Sequence, residues 1–85
     1  MRALVLRRGF REALPRLAPR GSRAWEALRG VLRELTDERV SLVRPEDRSV
    51  TLPMAVIGRL VPGTDLLIVY VPGVDEVAVV ALRKA

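Results

Sequence analysis

Leu66-Leu67-Ile68-Val69-Tyr70-Val71, then Pro72-Gly73-Val74-Asp75, then Val77-Ala78-Val79-Val80-Ala81-Leu82 is the stretch that decides the fold. Two continuous apolar runs of strand length flank a Pro-Gly turn signal. Runs of this kind suit strands buried on both faces, and the turn folds one back on the other as a hairpin. Each run is far short of the roughly 20 apolar residues a membrane helix needs. Neither is read as a membrane segment.

Upstream, Pro62-Gly63-Thr64-Asp65 is a second turn. The segment Met54 to Val61 admits two readings, a single helical turn or an irregular extended piece. From residue 39 the apolar period is two: Val40 and Leu42 alternate with Ser41, and Val50 and Leu52 alternate with Thr51. Pro45-Glu46-Asp47-Arg48 between them is turn chemistry.

The period changes again toward the N-terminus. Ala24, Trp25, Leu28, Val31, Leu32 and Leu35 fall within an arc of roughly 120° on a helix, with Glu26, Arg29 and Arg33 on the other side. Ser22 is the expected N-cap of this helix, which runs to Thr36. A rival reading starts a strand at Val31 and makes residues 31–53 a three-strand meander. Phe10, Leu14 and Leu17 mark one face of an earlier helix, and Pro15 predicts that this helix is short or begins late. Pro19 and Gly21 break the two helices apart. Met1 to Leu6 is a short apolar run bounded by arginine, read as a buried first strand rather than a secretory leader.

The element order is therefore strand, helical hairpin, then an antiparallel sheet of three to four strands. That is a two-layer α+β domain spanning residues 1–85. The first strand joins the sheet only where the helical hairpin crosses one of its faces.

Charge is divided unevenly along the chain. The net charge is +5, and fourteen of the fifteen basic residues are arginine, a bias that thermophilic hosts and GC-rich genomes also produce. Residues 1–36 hold nine basic groups against three acidic ones, a net of +6, and residues 37–85 come to −1. A basic helical half suits a polyanion or an acidic protein segment. Arg23, Arg29 and Arg33 are the candidate nucleic-acid contacts, whose affinity would fall with salt.

There is no histidine and no cysteine. This removes imidazole bases, thiolate nucleophiles and structural zinc sites. The acids Glu46-Asp47 and Asp75-Glu76 sit in turns, so neither a metal nor a cofactor is expected. Tyr70 reads as a core residue, and Trp25 as an anchor between helix and sheet. Three aromatics, none interleaved with a basic strand, do not make a base-stacking sheet.

Read from end to end, the chain resembles the RelE/ParE superfamily of small bacterial toxins. The opening Met1 to Leu17 is similar to that family's first strand and helix, and Ser22 to Leu35 to its second helix. Asp65 to Tyr70 followed by Asp75 to Val80 looks like its central hairpin. The resemblance implies a cytoplasmic toxin held by an antitoxin protein. In the RelE branch it implies a metal-independent endoribonuclease acting on mRNA at the ribosome. There, guanidinium groups stabilise charge as a ribose 2′-hydroxyl attacks the adjacent phosphate. Carried over, the catalytic set is Arg59, Arg83 and Lys84. Leu67 stands where that branch has an arginine, and the branch's C-terminal tyrosine has no counterpart, so a ParE-like or degenerate relative without nuclease activity fits equally.

A second resemblance covers only the C-terminal half. Ser49-Val50-Thr51-Leu52-Pro53-Met54-Ala55-Val56 followed by Pro62-Gly63-Thr64-Asp65 is similar to AbrB-type DNA-binding domains. It implies a short helix between strand and turn, a dimer and duplex DNA as partner. A small β-barrel interaction module is the third reading.

Overall fold

The hairpin of residues 66–84 holds the middle of the sheet. A computed structural model describes residues 1–42, 48–51 and 55–85. Strands β4 (Leu66–Pro72) and β5 (Glu76–Lys84) pair antiparallel through the turn at Gly73, whose N–H donates to the Glu76 carbonyl at 2.8 Å. Leu66, Leu67, Ile68, Val69 and Tyr70 are all buried, as a strand covered on both faces requires. Two more strands extend the sheet on one side, β3 (Ala55–Leu60) and β2 (Arg48–Thr51), each antiparallel to its neighbour. On the other side β1 (Ala3–Leu6) lies parallel to β5, giving the order β1-β5-β4-β3-β2.

A parallel neighbour needs a crossover. Helices α1 (Arg8–Leu17) and α2 (Arg23–Thr36) supply it and cover one face of the sheet. Phe10 and Ala13 from α1, and Leu28, Val31 and Leu35 from α2, meet Ile57, Val61, Leu66, Ile68, Tyr70, Val77, Val79 and Leu82 in the main core. Between Val69 and Tyr70 the pairing slips by one residue, so Val80 and Ala81 together form a bulge in β5. The Val80 carbonyl approaches α1 so closely that a Cβ at Gly9 would lie 3.0 Å from it. Glycine at this position is what lets the helix sit down on the sheet.

The two-layer α+β reading holds, with the first strand in the sheet and the helical hairpin crossing over one face. The expected Ser22 cap also holds: its Oγ accepts from the Trp25 N–H at 3.1 Å. Three local expectations are corrected. Helix α1 runs through Pro15 rather than ending before it or starting late. Pro15 sits exposed in the last turn, where only the Arg11 carbonyl loses a donor.

Residues 38–42 form turns and bends, not a strand. Residues 55–60 form a regular strand rather than an irregular segment or helical turn, so the short helix implied by the AbrB resemblance is absent there. Residues 31–36 are helical and the sheet is open, which removes the meander and the closed barrel. The turn read at Pro45-Glu46-Asp47 lies outside the described residues.

Candidate functional site

The two faces of the sheet hold the candidate residues apart. Facing the helices, β3 presents Ile57 and Arg59 in strand alternation, which Val61 continues just past its end, all buried. Arg59 is only 4% exposed. Its Nη2 donates to the Leu42 carbonyl at 3.4 Å, and its Nη1 lies 3.8 Å from Glu34 Oε2 on α2. The guanidinium carbon stands 5.6 Å from the centre of the Tyr70 ring. The Tyr70 hydroxyl donates to the same Leu42 carbonyl at 2.6 Å.

A charge this deep is tolerable only with a counter-charge, hydrogen bonds and an aromatic face. The cluster supplies each. It also ties α2, the bend at residue 42, β3 and β4 at one point.

The other face is apolar in its centre. Val56, Leu67 and Val69 are buried there, with Val71, Val80 and Ala81 packed beside them. Leu67 lies over Gly58, where a Cβ would meet its Cδ2 at 3.2 Å. Arg83 is opposite Leu67 in the register, so it stands on this face, exposed, at its edge. Lys84 is opposite Leu66 and falls on the helix side at the end of β5, also exposed. The three residues read as a catalytic set therefore do not converge. Arg59 points inward beneath α2, Arg83 stands on the far face, and Lys84 is at the strand end.

The helical half carries most of the exposed cations among the described residues. Arg29 and Arg33, four apart, share a ridge of α2, and Arg23 stands at its start. Arg29 meets Glu26 at 3.4 Å and Arg8 meets Glu12 at 2.7 Å, both exposed pairs of little energetic weight. Arg11, Arg20, Arg23 and Arg33 make no ion pair among the described residues. At the tip of the hairpin, Trp25 is half-buried, packing against the core from its edge and opening on a groove beside Arg20. The sequence signal for this groove was the clustering of Pro15, Pro19, Arg20 and Trp25 around the helix break. Their convergence follows from the helix–turn–helix path and not from any one of these residues.

A second charged cluster fastens the chain start to the end of α2. Arg2 donates through Nη1 to the Asp37 carbonyl at 2.9 Å and through Nη2 to the Val40 carbonyl at 3.0 Å. The N-terminal amine pairs with Glu38. Hydrogen bonds from the Arg39 side chain and backbone hold the Asp37 carboxyl below its usual range. The amine does the same for Glu38. Among the described residues, no three His, Cys, Asp or Glu side chains gather, and no helix is long and apolar enough to cross a membrane.

This geometry has a counterpart among solved structures. A copper-bound mutant toxin from Helicobacter pylori superposes with a TM-score of 0.74 at 20% identity, covering 99% of this chain and 94% of that one. The likeness is one of fold. No protein-family model and no curated protein sequence matches the chain.

Proposed function

We propose that the chain is the toxin of a bacterial type II toxin–antitoxin pair, acting in the cytoplasm and held inactive by an antitoxin protein. The observation that carries this reading is the full-length likeness in fold to a bacterial toxin. The strand, helical hairpin and β4–β5 hairpin on which the RelE/ParE resemblance was quoted are present in the fold. The division of charge supports it: a basic helical surface suits an acidic partner.

Within that class, the residues favour a relative that does not cleave RNA. A phosphate-cleaving face needs convergent cations around the scissile bond. Here buried Leu67, Val69 and Val56 fill the centre of the sheet face away from the helices, and Arg59 is committed to Glu34, Tyr70 and Leu42 on the other side. Of the carried-over set, Arg83 stands at the edge of that face.

The test is inducible expression of the intact chain in a bacterial host, with and without the adjacent open reading frame. Growth arrest relieved by co-expression is the expected result. Unaffected growth would remove the reading, and sequence-selective binding to duplex DNA in gel shifts would favour the AbrB-like alternative.

A further inference from the structure

The groove at the tip of the helical hairpin has a volume of about 360 Å³ and is lined by Leu14, Pro15, Ala18, Pro19, Arg20 and Trp25. Its floor is continuous with the core: Ala18 is buried, and Leu14 and Trp25 pack against the main cluster. Its shape is fixed by the turn that joins the helices. Gly21 takes φ +82°, Ser22 Oγ donates to the Pro19 carbonyl at 2.6 Å, and the Ala18 N–H donates to the Leu14 carbonyl at 2.8 Å. A groove ordered in advance loses little entropy when it is filled.

The surroundings are cationic. Arg20 stands in the lining. Arg11 lies one turn along α1 from Pro15, and Arg29 one turn along α2 from Trp25. Arg11 and Arg20 have no carboxylate partner among the described residues, and the Arg29–Glu26 pair is exposed. An apolar floor ringed by guanidiniums matches an apolar side chain flanked by carboxylates. It matches RNA less well, because Trp25 is the one aromatic side chain in the lining and single-strand recognition stacks several bases. It does not suit a second copy of the chain, whose own rim would bring arginine against arginine.

We infer that this groove receives a leucine- or phenylalanine-bearing segment of a separate acidic protein, its carboxylates meeting Arg11, Arg20 and Arg29. The inference rests on the partnered-toxin reading for the existence of that protein.

Trp25 is the sole tryptophan, so its fluorescence in the intact chain reports occupancy directly. The probe is a synthetic acidic peptide with a pair of leucines among glutamates, set against the same peptide with serines for leucines and against a uridine oligonucleotide. A saturable Trp25 signal is expected with the leucine peptide alone. Arg20→Glu is expected to weaken it about tenfold. Arg16→Glu, which reverses a charge on the far side of α1, is expected to leave it unchanged. Equal weakening by Arg16→Glu would overturn the inference, as would a response to the oligonucleotide without one to the peptide. Growth arrest is scored separately. A chain that arrests growth but does not bind the peptide loses the groove and keeps the proposed function; a chain that binds without arresting growth keeps the groove and loses that function.

Discussion

Arg59 and Arg83 stand two strands apart, on either side of β4, and are used in opposite ways. Arg59 is buried among helices and sheet, with Glu34, Tyr70 and the Leu42 carbonyl around it. Arg83 is exposed at the border of an apolar face. Strand alternation puts them on different sides, so the same residue type becomes a structural tie on one face and a surface charge on the other. The difference teaches that an arginine count in a strand region says little about phosphate chemistry until the faces are assigned.

The comparison breaks most readily at Arg59. Arg59→Ala should lower unfolding free energy by about 3 kcal/mol, because it empties buried volume and removes the charge that offsets Glu34. Arg59→Met, which keeps the stem's packing, should lose about half as much. Arg83→Ala should change stability by less than about 0.5 kcal/mol. Urea unfolding monitored by Trp25 fluorescence checks all three, and equal effects at Arg59 and Arg83 would end the distinction.

The two apolar faces can be compared in the same way. Ile68→Ala on the helix side should cost about 3–4 kcal/mol, and Leu67→Ala on the other face about 2 kcal/mol, since its buried cluster is the smaller of the two. At the hairpin tip Ser22→Ala should cost about 1 kcal/mol by removing the cap; a null effect would mean that the turn, not the cap, fixes the start of α2.

The smallest effect is that of pH. The folded carboxyls of Asp37 and Glu38 lie below their ordinary values of 3.8 and 4.5. Their contribution is therefore complete at neutral pH. It is lost as the pH falls past those values toward the lowered folded ones. The urea midpoint should drop on acidification from about pH 6 to about pH 3, and the Asp37→Asn, Glu38→Gln double variant should drop less. An identical drop in both would place the acid sensitivity elsewhere.

Much of the fold was legible because its signals are local. The β4–β5 runs, the Ser22 cap and the α2 stripe each depend on residues within a few positions. What was missed depends on distant contacts. Leu42 looked like a strand residue, but its carbonyl is held by Tyr70, 28 positions away. Arg59 looked available for chemistry, but its alternation with Ile57 and Val61 carries it into the core. Pro15 looked like a helix stop, but its exposed place in the last turn costs only one hydrogen bond.

The most direct measurement induces the intact chain in bacteria and follows growth and mRNA 5′ ends in the same culture. Growth arrest with mRNA left intact at the ribosome is the expected result. Undisturbed growth would contradict it, and so would ribosome-dependent cleavage that disappears in Arg83→Ala.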